Sequence, residues 1–173
     1  LKKYLAVKLE DGSMQDLFAP VAAGQTVTPV TFEDPEGRKV FFHSASHLMA
    51  MAVKKLYPNA KVAIGPAIAD GFYYDFDVEV PFTPEDLSKI EKEMVHCAKK
   101  SIRPRRYLME REAAIAYFQE KEEPYKVELI QDLPEGEEIS FYKMGDFVDL
   151  CAGPHLFATG AVKALKLTQC TGA

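Results

Sequence analysis

The spacing of apolar side chains changes period several times along this chain, and that excludes most simple architectures. From Ala45 the apolar positions are Ala45, Leu48, Met49, Ala52, Val53 and Leu56, the period of a helix laid on a core. Between Phe72 and Val78 the period drops to two. Phe72, Tyr74, Phe76 and Val78 share one face of a strand, which reads as core, and Tyr73, Asp75 and Asp77 share the other, which reads as wet. The helical period returns at Leu87, Ile90, Met94 and Ala98, behind a start signal with Thr83 as N-cap and Pro84 as first helical residue.

The rest is short and punctuated. Up to about residue 40 the chain reads as strands: YLAVKLE, a hairpin turn at Asp11-Gly12, MQDLF, and TVTPVTF after a break at Gly24-Gln25. A turn at Asp34-Pro35-Glu36-Gly37 ends this region and feeds the first helix, which Pro58 and Asn59 stop. KVAIG forms a strand pair with FYYDFDV. A strand near Arg106 to Met109, a helix over Glu110 to Gln119 and a short helix or strand after Pro124 come next. Three strand-like runs, ISFYKMG, DFVDLC and VKALKLTQC, close the chain. Strands and helices mixed without regular alternation predict an α+β fold, a mostly antiparallel sheet packed with helices. A small β-rich module over residues 1–40 would precede a main domain over 41–173.

With 173 residues, 47% of them hydrophobic, the chain can bury one substantial core, or a main core with an appendage. No apolar run approaches the roughly 18 residues a bilayer demands, and LKKYLAVKLEDG is too soon broken by charge for a signal peptide. The expectation is a soluble cytoplasmic protein. Cys97, Cys151 and Cys170 are odd in number and suggest no disulfide framework. A net charge of -5 argues against a protein that holds nucleic acid unaided. The local exception is Lys99, Lys100, Arg103, Arg105 and Arg106 around Pro104, with Lys54 and Lys55 as candidate neighbours, a run that is either solvated or phosphate-binding.

Chemistry concentrates in two pairs. HSASHL places His43 and His47 one helical turn apart, and DLCAGPH repeats that spacing with Cys151 and His155. In helical phase His43 and His47 point nearly opposite the apolar stripe, alongside Ala50 and Lys54, so they line either a solvated face or a cleft. Three readings are open. Two imidazoles, a thiolate and a third imidazole suit zinc, although four protein ligands close the sphere that a catalytic zinc keeps open. A histidine can instead serve as general base on a water. Or Cys151 can be a nucleophile activated by His155. Asp149 would share a strand face with Cys151 and can fix an imidazole tautomer or hold a substrate ammonium. Lys126, after Pro124, has no special status from the residues alone.

HSASHLMAMAVKKLYPNAKVAIGPAIADGFYYDF, EPYKVELI and FVDLCAGPHL, in that order, resemble the editing domain of the threonyl-tRNA synthetase family, and KALKLTQCTGA resembles its junction with the synthetic core. The first forty residues resemble only the latter part of the ubiquitin-like TGS module, and no class II synthetase signature follows. The resemblance implies hydrolysis of seryl-tRNA(Thr) with threonyl-tRNA(Thr) spared, without ATP-dependent aminoacylation. His43 would position or deprotonate the attacking water, with Lys126 a second water-positioning or ester-contacting group. His47, Cys151 and His155 would line the pocket, Asp149 would face the substrate amine, and Tyr74, with Tyr73, would confine the seryl group or terminal adenosine. The basic run from Lys99 to Arg106 would meet the tRNA. The partners implied are the acceptor end of tRNA(Thr) and the synthetic domain of a homodimeric full-length enzyme, with no membrane. Alanyl-type relatives use zinc at the four-residue set, whereas the threonyl type implies no cofactor and no metal. The alternatives are an alanyl-type zinc-dependent deacylase and a non-catalytic tRNA-binding module.

Overall fold

The computed structural model describes residues 3–172. Three strands come first: β1 (Tyr4–Leu9), β2 (Met14–Gln15) and β3 (Val27–Thr31), in the antiparallel order β2-β1-β3. Asp11 and Gly12 turn β1 into β2, Gly12 taking a φ of 86° that favours glycine. MQDLF yields only two strand residues before the chain turns away. Leu5, Ala6 and Val30 from this sheet lie in the same buried cluster as Val40, Leu48 and Val53 of the first helix. These strands are too short to enclose a core, and they share that of the helices.

Helix α1 runs Pro35–Leu56. The expected turn at residues 34–37 is instead its first turn, because Pro35 supplies a pre-set φ at a position where its missing N–H costs nothing. The expected two-faced helix is not observed either. Ser44 to Leu48 and Ala50 to Val53 are all buried, while Leu56 at the end of the apolar stripe is exposed. The face opposite the stripe is covered by β4 (Lys61–Val62), β5 (Ala67–Ile68), β6 (Gly71–Phe72) and β7 (Phe76–Asp77). Two short antiparallel ladders, β4 with β7 and β5 with β6, replace the single predicted strand pair. The alternation survives the interruption. Tyr74 is buried and Phe72, Phe76 and Val78 pack on the core, whereas Tyr73, Asp75 and Asp77 stay exposed. At Gly65 a side chain would collide with the Tyr74 ring, so glycine there lets the ring lie against the backbone.

Helix α2 (Pro84–Lys99) begins with a reciprocal capping box, the Thr83 hydroxyl accepting from Asp86 N–H while the Asp86 carboxylate accepts from Thr83 N–H. Ile90, Met94 and Ala98 enter the first core, joined by Cys97. Strand β8 (Arg105–Leu108), helix α3 (Arg111–Glu120), helix α4 (Pro124–Asp132) and strands β9 (Ser140–Met144) and β10 (Phe147–Leu150) form a second layer. Its antiparallel sheet runs β10-β9-β8, and Phe118, Ile130 and Phe141 fill its core. The run VKALKLTQC is not a strand. The fold is α+β with small antiparallel sheets, and no helix among the described residues is long and apolar enough to cross a membrane.

Candidate active site

Where α1 meets the end of β10, the four residues paired in the sequence converge. The ligand-capable atoms of His43, His47, Cys151 and His155 all lie within 4.8 Å of one another. α1 supplies two rings one turn apart. Cys151 and His155 stand in an irregular segment after β10, so their spacing is that of a tight loop. The His43 and His155 rings stack at 4.6 Å and 14°, with His47 set edge-on to both.

Hydrogen bonds tie three of the four side chains to one another and to the backbone around them. Leu156 N–H donates to Ser44 Oγ at 3.0 Å, and the same hydroxyl shares a hydrogen bond with His155 Nδ1 at 2.8 Å. His155 Nε2 lies 3.3 Å from Cys151 Sγ, a sulfur that accepts from Gly153 N–H. Burial pushes the Cys151 thiol up to about 12, so it is protonated at neutral pH, and it shares a hydrogen bond with His43 Nε2 across 2.8 Å. A thiol held in this way is no ready nucleophile. Burial also holds His43 below its ordinary value, partly opposed by the Asp149 charge, and holds His47 and His155 well below it. All three rings are neutral bases. Only His43 is half-buried, and it is the ring a solvent molecule can reach; His47 and His155 are 3% and 1% exposed.

Protonation of these rings is linked to folding. Below the ordinary histidine value the unfolded chain takes up protons that the native rings refuse, so stability is flat near neutrality and falls with decreasing pH. The expected slope approaches about 1.4 kcal/mol per pH unit for each ring, or about 4 for the three, below about pH 6.5. Urea unfolding midpoints measured across that range check this, and an unchanged midpoint contradicts it.

Beside the imidazoles lies a second, charged cluster. Lys126, from the first turn of α4, is 3% exposed. Its ammonium donates to Ala63 carbonyl at 2.7 Å and to Tyr74 Oη at 2.9 Å. It stands 2.6 Å from Asp149 Oδ1, a buried ion pair. The Tyr74 hydroxyl donates to Asp149 Oδ2 at 2.7 Å, and burial followed by the Asp149 charge pushes that phenol far up. His47 Nδ1 lies 3.4 Å from Asp149 Oδ2 and has no hydrogen-bond partner among the described residues.

Tyr73, 41% exposed, stays outside this cluster on the β6–β7 segment. Lys99, Lys100, Arg103, Arg105 and Arg106 are exposed and form no part of it. Arg106 is engaged with Glu138, Arg103 lies over the Phe18 ring at 3.6 Å, and Lys54 is committed to Glu123. The structure adds participants that sequence reasoning missed. Ser44 sits inside the quoted HSASH motif, and its signal is that position. Asp16 accepts from His155 N–H at 2.7 Å and from the Tyr142 hydroxyl at 2.6 Å, and nothing in the sequence marks it.

Comparison with known proteins shows what the chain is similar to. Residues 139–172 match the family model described as the threonyl and alanyl tRNA synthetase second additional domain. The chain is 57% identical over 163 residues to a threonine–tRNA ligase of Acetivibrio thermocellus, covering 94% of this chain and 26% of that enzyme. With the threonine–tRNA ligase of Clostridium tetani it shares 54% identity over 172 residues, 99% of this chain and 27% of the relative. With that of Caldanaerobacter subterraneus the identity is 53% over 163 residues, 94% of this chain and 25% of the relative. The chain therefore spans about a quarter of the length of the curated relatives it matches, and along nearly all of its own length it is a homologue of the threonine–tRNA ligases.

Proposed function

We propose that this chain is an editing domain that hydrolyses the ester of seryl-tRNA(Thr), the error a threonine-sized synthetic pocket cannot exclude. The need is physical. One missing methyl gives only about 1 to 3 kcal/mol of discrimination, so a second site must remove the smaller amino acid. The observation that carries the reading is the junction of a neutral, solvent-reachable histidine with a buried Lys126–Asp149–Tyr74 cluster in a homologue of threonine–tRNA ligases. His43 takes the proton of the attacking water, which replaces the Cys151 thiol at Nε2. Lys126 brings the positive charge that holds the water or steadies the oxyanion of the ester. Asp149 faces the amine of the seryl moiety, and His47, Cys151 and His155 line the pocket beside it. Buried Tyr74 walls the pocket where the methyl of threonine would go, and exposed Tyr73 lies against the terminal adenosine. Lys99, Lys100, Arg103 and Arg105 face the phosphates of the acceptor end, with Arg106 joining if Glu138 releases it. The rest of the enzyme, a synthetic domain in a homodimer, supplies the larger share of tRNA affinity.

Two imidazoles, a thiol and a third imidazole within 4.8 Å of one another fit a zinc ion, which His43, His47, Cys151 and His155 would hold. Bound zinc would supply Lewis-acid chemistry, and its test is elemental analysis. We propose a metal-free reaction because four such ligands complete the coordination sphere and engage the one ring that solvent reaches. The second reading, an alanyl-type zinc-dependent deacylase, is favoured by that donor set and by the breadth of the matching family model. Hydrolysis of seryl-tRNA(Thr) and seryl-tRNA(Ala), each before and after chelation, separates the two. Turnover of the first alone, insensitive to chelator, is expected. Chelator-sensitive turnover of the second would transfer the assignment.

A further inference from the structure

We infer that Glu123 is a positioning residue, a clasp that sets where Lys126 stands relative to the histidines; the inference rests on the deacylase reading for its kinetic consequence. Glu123 immediately precedes α4 and is 5% exposed, an unusual place for a lone acid. Its two oxygens have separate partners. Oε2 accepts from Val62 N–H at 2.9 Å, and Oε1 pairs with Lys54 Nζ at 2.7 Å. One turn further on, Lys126 donates to the carbonyl of Ala63. Side chains of opposite charge, three residues apart at the start of α4, thus grip the N–H of Val62 and the C=O of Ala63. Sliding α4 along that segment would break both contacts together.

Lys54 extends the clasp to the other helix. It stands two turns beyond His47 on α1, and besides Glu123 its ammonium donates to the carbonyls of Pro58 and Ala60, both at 2.8 Å, where the chain leaves that helix. The Lys54–Glu123 pair therefore joins the helix bearing His43 and His47 to the helix bearing Lys126. Charge-assisted hydrogen bonds are about twice as strong as neutral ones, and these are largely shielded from water. The geometry assigns to Glu123 the spacing between the two groups placed on the reacting water, although it touches neither that water nor the ester.

The test is single-turnover hydrolysis of seryl-tRNA(Thr) by the full chain carrying Glu123→Ala or Glu123→Gln. Misplacement of a reacting group by about 1 Å can cost about 100-fold, so Glu123→Ala is expected to lower kcat about 10- to 100-fold with KM unchanged. Glu123→Gln keeps an oxygen for Val62 N–H and recovers the larger part. Unaltered kcat in Glu123→Ala, a loss confined to KM, or a glutamine that rescues nothing overturns the inference. The side-chain ammonium resonance of Lys126 gives a reading independent of turnover and of the stability of the alanine variant. It should move in Glu123→Gln, and an unmoved resonance overturns the clasp. A wild-type chain without deacylase activity would sink the functional reading while this resonance still decided the clasp.

Discussion

His43→Ala is expected to lower the hydrolysis of seryl-tRNA(Thr) by about 100- to 10,000-fold, the range that a positioned general base contributes. Neither neighbouring imidazole can substitute. His47 and His155 are buried, and the Nδ1 of His155 is held by Ser44. Stability should change little, because His43 is half-buried and its removal leaves no sealed void. The pH dependence carries the same assignment. Burial keeps the His43 ring deprotonated to below its ordinary value, so activity should hold through neutrality and fall only in mild acid. Wild-type rates in His43→Ala, with unchanged folding, would remove this ring from the mechanism.

Lys126→Met is expected to lose both activity and stability, and the two losses have separate causes. The first is the loss of the ammonium assigned to the water or the ester. The second comes from Asp149, which is 1% exposed and would keep the Tyr74 hydroxyl but no ammonium. Removing one partner of a buried ion pair typically costs about 3 to 5 kcal/mol, because the remaining charge is left unpaired. A second change, Asp149→Asn, should therefore restore much of the stability of Lys126→Met and none of its activity. Urea unfolding and single-turnover rates on the two variants and the wild type separate the effects. Lys126→Met as stable as the wild type would contradict this account of the buried pair.

How much of this could be read from residues alone differed by element, for physical reasons. Thr83-Pro84-Glu85-Asp86 is a complete local signal, and α2 begins there with both capping bonds made. The Asp34-Pro35-Glu36-Gly37 signal was ambiguous because proline opens helices as well as turns, and tertiary packing of α1 decided in favour of the helix. The phase of His43 and His47 was legible, but not that the short ladders from Lys61 to Asp77 cover that face and bury His47. VKALKLTQC has the composition of a strand and no neighbouring edge to pair with, which a sequence cannot reveal. The two i, i+4 pairs announced their own convergence. Lys126 did not, because a buried lysine looks like any other until its carboxylate and hydroxyl partners, 23 and 52 residues away, are in place. Asp16, Ser44 and Glu123 share that character, each acting through contacts with distant parts of the chain.

The central claim, a site that removes serine and spares threonine, is tested most directly by incubating the chain with seryl-tRNA(Thr) and threonyl-tRNA(Thr) side by side under single-turnover conditions. Rapid release of serine with the threonyl ester left intact is predicted, with chelator present throughout. Equal release of both amino acids, or of neither, would contradict it.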